Sequence, residues 1–141
     1  MGSERTKSDR PHVVPLSGPT KSILASLPRL HEQLVFPSRG NNGTVSGFSK
    51  WKSELDEISK VEGWRLHDIR RTTATGMARL GVPPHVVERI LNHTSGTFGG
   101  VAGIYNRFGY LPEMRDGVDR WSNFVVSLVD EQLTDNETPS A

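Results

Sequence analysis

The sequence contains no cysteine, which excludes disulfide bonds and thiolate metal sites and is typical of a protein from a reducing compartment. It also lacks a long hydrophobic run, and with 34% hydrophobic residues no segment is predicted to cross a membrane. The N-terminal residues are polar and charged, unlike the apolar stretch of a signal peptide. These absences predict a cytoplasmic protein, and 141 residues suffice for one domain with a modest core.

The chain has little net charge, only +1, but its charges are unevenly distributed. Residues 130–141 carry four acidic side chains and no lysine or arginine, which leaves 17 basic and 12 acidic residues, a net charge of +5, in the rest. We therefore predict a folded body over residues 1–129 and an acidic, flexible C-terminal tail. A basic body with an acidic tail suits a nucleic-acid-binding protein, although a solubilising terminus explains the tail equally well.

Hydrophobic periodicity predicts a mainly helical domain with one small β element. The segment from Arg10 to Leu16 contains β-branched residues bounded by prolines, so we interpret it as an edge strand of a β-hairpin that carries Lys7. The expected fold is therefore α+β. The aromatic stripe that begins at Phe48 and Trp51 is predicted to lie in the core rather than to stack on bases. The predicted helices are residues 19–28, 48–58, 67–80, 83–93, 101–108 and 112–129.

Two imidazoles, a guanidinium and a phenol occur in an order that suits phosphate chemistry. His67 and Arg70 are three residues apart and would share one face of a helix. A second helix leads to His93, and Tyr105 follows a glycine-rich connector. A phenol ordinarily has a pKa near 10, so a tyrosine nucleophile needs nearby cations and a base.

Each of these side chains has a possible role in attack on a phosphodiester. Tyr105 would attack phosphorus, while Arg70 and His93 would hold the non-bridging oxygens. His67 would manage protons at the nucleophile, and Lys7 would protonate the leaving oxygen. The N-terminus of the His67 helix would add its positive dipole and free N–H groups. This chemistry needs no cofactor and no metal, and the histidines do not have metal-ligand spacing.

Taken alone, each residue has an ordinary structural explanation. An arginine three residues after a histidine is common on solvated helices, His93 would serve as a helix C-terminal cap, and Tyr105 would be half-buried. Tyr110 is a competing nucleophile, but its surroundings are typical of the turn into the last helix. Only the combination of all these residues, in this order and separated by the same two helices, favours a catalytic role.

The segment H-D-I-R-R-T-T-A-T, followed by L-G-V, V-E-R-I-L-N-H and G-V-A-G-I-Y-N-R, closely resembles the C-terminal part of phage-integrase-type tyrosine recombinases. Upstream, R-T-K-S-D-R-P-H-V-V-P-L-S resembles the hairpin that carries the catalytic lysine of that family. The resemblance runs from about residue 4 to residue 130. It implies strand exchange between double-stranded DNA attachment sites, with a 3′-phosphotyrosyl bond and a released 5′-hydroxyl. The residues matched to the family's catalytic set are Lys7, His67, Arg70, His93 and Tyr105.

The sequence also departs from the family pattern. The family's first catalytic arginine precedes the hairpin lysine, whereas Arg5 would lie within the hairpin itself, and the amino-terminal DNA-clamping domain is missing. Asn92 stands where glycine is more usual, and extra glycines precede Tyr105. We therefore expect a truncated catalytic domain, weakly active or inactive alone, from an integrase that forms a homo-oligomer on DNA. A non-catalytic DNA-binding or regulatory module is the alternative.

Overall fold

The computed structural model of the chain describes residues 12–40, 43–93 and 109–136. Within these ranges the only β pairing is an isolated antiparallel bridge between Pro37 and Thr44. The protein is therefore mainly helical, as predicted. The helices, in chain order, are α1 (Gly18–Ser26), α2 (Phe48–Ser59), α3 (Leu66–Arg79), α4 (Pro84–Ile90) and α5 (Leu111–Asn136).

The predicted β-hairpin is not confirmed in the described part of its sequence. Residues 12–17 have no regular secondary structure. Pro15 is buried and has no N–H group to donate to a neighbouring strand. The His12 ring instead bonds to the carbonyl of Ile90, at the end of α4. This segment is therefore held against a helix, and the rest of the hairpin, with Lys7, lies outside the described residues.

The ends of α1 and α3 follow recognisable capping signals. The buried Ser17 caps α1 by accepting a hydrogen bond from the Thr20 amide at 3.4 Å. The C-terminus of α3 has the two hydrogen bonds of a Schellman motif, from Val82 N to Met77 O and from Gly81 N to Ala78 O. Gly81 has φ +77°, a left-handed conformation that glycine adopts without steric cost. The resulting sharp turn lets α4 pack back against α3.

The core lies where α3, α4 and α5 meet. The apolar spacing predicts that Val86, Val87, Ile90 and Leu91 point inward, and all four are buried. On α3 the predicted buried face is Ile69, Thr73, Met77 and Leu80, and only Met77 of these is buried. Ile69 is 54% exposed, and on α5 Leu128 and Val129 are also exposed. The core is therefore small and centred on the helix that leads to His93. Its buried hydrophobic residues are Met77, Val82, Val86, Val87, Ile90, Leu91 and Met114.

The aromatic stripe of α2 is not part of this core, so that prediction is wrong within this chain. Phe48 is 52% exposed and Trp51 47% exposed, and their rings pack edge to face at 5.7 Å. Among the described residues, the main helix contacts join α1, α3, α4 and α5. Because periodicity reveals an apolar face but not its partner, the sequence could not show that Phe48 and Trp51 would stay about half exposed.

Helix α5 continues through residues 130–136, beyond the end predicted at Val129. Acidic residues are tolerated in a helix, and the next proline along the chain is Pro139. The helix therefore does not end where the acidic segment starts. That residues 130–141 form a flexible tail stays a prediction. None of the helices in the described ranges is long and apolar enough to cross a bilayer.

Gly76 allows α3 and α5 to approach closely. A Cβ atom at this position would overlap three ring atoms of Trp121. We expect Gly76→Ala to lower the free energy of unfolding by about 1–3 kcal/mol through overpacking, although alanine is the better helix former. Urea denaturation would measure the change. Gly18→Ala is the matched control, since no atom lies within 4 Å of its added Cβ. A Gly76→Ala protein as stable as the wild type would show that Trp121 repacks freely.

Candidate functional site

Helix α3 carries the first two candidate residues near its N-terminus. His67 lies in the first turn and is exposed, while Arg70 lies in the second turn and is partly buried. Residues three apart on a helix are neighbours on its surface, so the two side chains start from the same face. This is the placement that their spacing predicts.

The N-terminus of α3 is not the open anion site that the sequence suggested. The Asp68 carboxylate accepts a hydrogen bond from the Arg65 amide at 2.9 Å. An acidic residue in the first turn complements the positive end of the helix dipole. This helix end is therefore already partly satisfied by the protein's own carboxylate.

His93 is placed by the C-terminus of α4. The His93 amide donates to the Glu88 carbonyl at 2.9 Å and the Asn92 amide donates to the Arg89 carbonyl at 3.1 Å, which together form a second Schellman motif. Asn92 has φ +52° at the left-handed position. Asparagine tolerates this conformation better than most residues, which explains how it can replace the glycine expected here. The tight turn brings the His93 side chain back over the helix.

Three side chains meet at this point. Arg70 Nε donates to His93 Nε2 at 3.1 Å, and His93 Nδ1 lies 2.9 Å from Glu88 Oε2. Because a guanidinium has no acceptor, His93 Nε2 must accept the bond and the ring proton must lie on Nδ1, where it donates to Glu88. The His93 ring is thus held between a guanidinium and a carboxylate. Its side chain is 34% exposed, so a ligand can reach it.

Among the residues that the structure describes, Arg70 uses only part of its guanidinium. Within the described ranges the Arg70 side chain makes one hydrogen bond, to His93, and this bond uses Nε alone. The two terminal nitrogens carry four further N–H donors in a planar fork. That fork matches two oxygens of a phosphate group. The site can therefore bind an oxyanion beside the His93 ring.

The N-terminal segment is attached to the same region. His12 Nε2 lies 3.2 Å from the Ile90 carbonyl, which can only accept, so the ring donates this bond. Ile90 is three residues before His93, and Lys7 is five residues before His12. Lys7 itself lies outside the described residues, so its place in the site stays a prediction.

Of the two tyrosines, Tyr105 lies outside the described residues, whereas the Tyr110 ring packs against α4. The Tyr110 ring packs edge to face on His85 at 4.9 Å, and Arg89 Cζ lies 5.3 Å from its centre. Its carbonyl accepts from the Met114 amide in the first turn of α5. Tyr110 therefore lies at the turn into the last helix, as predicted, while Tyr105 as the nucleophile stays a prediction.

Sequence reasoning missed two residues that organise the site. Glu88 stands five positions before His93, and the Asn92 cap brings the two together. A glutamate in the last turn of a helix, followed by a left-handed asparagine and then a histidine, is a signal that could have revealed it. His12 has no such local signal, because its partner is 78 residues away.

An arginine fork beside an imidazole, on a basic helical body, defines the chain as a candidate phosphate-binding protein. The chain belongs to the phage integrase family, whose sequence profile matches residues 3–107. This confirms the resemblance to phage-integrase-type tyrosine recombinases.

A comparison with one curated relative gives the share of a prophage integrase that this chain covers. The chain is 28% identical over 123 residues to the prophage integrase IntA of Escherichia coli (strain K12). The alignment covers 86% of this chain and 29% of that protein, so the chain spans less than a third of its relative. No solved structure is significantly similar to the chain.

Proposed function

We propose that the chain is part of the catalytic domain of a tyrosine recombinase, which cuts and rejoins double-stranded DNA through a 3′-phosphotyrosyl intermediate. The contact between Arg70 and His93 carries this proposal. These residues are 23 positions apart in sequence, Arg70 on α3 and His93 just after α4, yet their side chains meet at 3.1 Å. The contact places a guanidinium fork and an imidazole where one phosphate could bind both.

In the proposed cleavage step, Arg70 binds non-bridging oxygens of the scissile phosphate and stabilises the charge that develops on them. The Tyr105 oxygen attacks phosphorus, and His67 accepts the phenolic proton. The bond from phosphorus to the 5′ oxygen breaks, and Lys7 gives that oxygen a proton. The products are a 3′-phosphotyrosyl bond and a 5′-hydroxyl. A 5′-hydroxyl from another DNA end reverses these steps and rejoins the strands.

Arg70 and His93 would not complete this site alone. Because the chain spans 29% of its prophage relative, we propose that it acts together with further integrase segments. These would supply another arginine for the phosphate and a domain that encircles DNA. The full-length integrase would assemble as a homo-oligomer on its attachment sites, and the 141-residue chain would cleave DNA weakly or not at all.

Covalent trapping tests this function. A nicked duplex that carries the element's own junction is incubated with the full-length integrase or with the 141-residue chain, and the products are separated on a denaturing gel. We expect a protein–DNA adduct from the full-length integrase and little or none from the shorter chain. Salt-dependent DNA binding with no adduct from either would contradict the recombinase and favour a non-catalytic DNA-binding module.

A further inference from the structure

We infer that Glu88 is a positioning residue that fixes the tautomer and orientation of His93, an inference that rests on the proposed function of the site. Glu88 Oε2 lies 2.9 Å from His93 Nδ1, on the opposite side of the ring from Arg70. The carboxylate would not touch DNA. It acts on the phosphate only through the imidazole.

The need for Glu88 follows from the donors around the ring. A neutral imidazole in water prefers its proton on Nε2. With that tautomer, His93 would point an N–H group at Arg70 Nε, which is also a donor. The Glu88 carboxylate is an acceptor only, so it draws the ring proton to Nδ1 and leaves the Nε2 lone pair for Arg70. Glu88 thus favours the tautomer in which a lone pair, rather than an N–H group, faces Arg70.

This arrangement also prepares the ring for its change of role. To donate to a phosphate oxygen, His93 Nε2 must first take up a proton, while Nδ1–H stays bonded to Glu88. The partner of Nε2 can therefore change from Arg70 to a phosphate oxygen without a flip of the imidazole ring. An orienting carboxylate behind a functional histidine serves the same purpose in other kinds of site.

Glu88 is well placed to hold the ring because its backbone carbonyl and its carboxylate both form hydrogen bonds with His93. Its backbone carbonyl accepts from the His93 amide at 2.9 Å, and its carboxylate accepts from the ring. The neighbouring Val87 is buried in the core, which fixes this turn of α4. A residue held on a packed helix can orient its partner more closely than one on a free loop.

The tautomer is measured on the 141-residue chain by long-range proton–nitrogen NMR of the histidine rings, without DNA. The His93 signals are identified by their loss in His93→Gln. We expect the wild type to carry its ring proton on Nδ1 and Glu88→Gln, which keeps an acceptor oxygen, to do the same. In Glu88→Ala the proton should move towards Nε2. Glu57→Ala, at an exposed site on α2, is the control.

A proton on Nε2 in the wild type, or on Nδ1 in Glu88→Ala, would overturn the inference. Single-turnover cleavage by the full-length integrase gives the second readout. Glu88→Ala should slow cleavage at saturating DNA by about 10- to 100-fold, since an ångström of misplacement is costly. DNA affinity should be unchanged, and Glu88→Gln should recover most of the rate. An unchanged cleavage rate in Glu88→Ala would also overturn the role.

The two readouts separate this inference from the proposed function. If the wild-type integrase gave no adduct, the function would fail, while the NMR experiment would still decide how Glu88 acts on the ring. Urea denaturation of both Glu88 variants excludes loss of the fold as the cause. A cleavage defect that followed stability rather than the tautomer would contradict the positioning role.

Discussion

Tyr105→Phe in the full-length integrase is expected to abolish the covalent protein–DNA adduct, whereas Tyr110→Phe should leave it intact. The first change removes one oxygen atom, and that atom is the proposed nucleophile. The second change keeps the aromatic ring, so the packing of Tyr110 on His85 and Arg89 should persist. Denaturing gels of the trapped complex measure both variants side by side.

The reverse pattern would contradict this assignment. An adduct that persisted in Tyr105→Phe and vanished in Tyr110→Phe would make Tyr110 the nucleophile. Tyr110 would then have to leave its contacts with α4 and the position where its carbonyl closes the first turn of α5. Loss of the adduct in both variants, with each protein still folded, would indicate that the Tyr110 hydroxyl also serves cleavage.

The helices that pack around α4 could be predicted well because their signals are local. Apolar spacing identified the buried positions of α4, and the predicted end of α3 at residue 80 falls directly before Gly81, which has the left-handed φ. The last helix was placed correctly at its start, but its end was set too early because a change in charge was taken for a change in structure. Acidic residues alone do not end a helix.

The faces of α2 and α3 were harder to predict because burial depends on which segments pack together. Phe48 and Trp51 form a regular amphipathic stripe, yet both are about half exposed. Ile69 lies in phase with Met77 on α3, but only Met77 is covered by α4 and α5. Periodicity gives the direction of an apolar face and carries no information about whether a partner covers it.

The site was predictable only in part, for a related reason. His67 and Arg70 could be placed on one helix by spacing, but the contact between Arg70 and His93 depends on how two helices pack. The resemblance to tyrosine recombinases suggested that pair, and the structure brings it to hydrogen-bond distance. Glu88 was missed because its role depends on the left-handed turn at Asn92, which a search for catalytic residue types ignores.

Arg70→Ala in the full-length integrase is expected to reduce the single-turnover cleavage rate about 100- to 1,000-fold, as removal of a transition-state donor does. The loss would come from the guanidinium fork, which we propose to hold two phosphate oxygens at once. Arg70→Lys keeps the charge but not the fork, so it should recover only a small part of the rate. Rates are measured at saturating DNA, so that differences in binding do not contribute.

Arg71→Ala is the matched control, because it removes the same charge from the next position of α3. The Arg71 side chain is 77% exposed, and its ion pair with Asp68 spans 3.7 Å. Its cleavage rate at saturating DNA should equal that of the wild type. Equal losses in Arg70→Ala and Arg71→Ala would mean that the charge of α3, rather than a fork at one phosphate, promotes cleavage.

The His93 tautomer separates the two effects that Arg70 could have on cleavage. Arg70→Ala removes the donor to His93 Nε2 but leaves Glu88 bonded to Nδ1. We therefore expect the ring proton of this variant to stay on Nδ1 while cleavage is lost. If the proton moved to Nε2, Arg70 rather than Glu88 would be the group that orients the ring. The rate loss would then combine a missing phosphate contact with a misplaced imidazole.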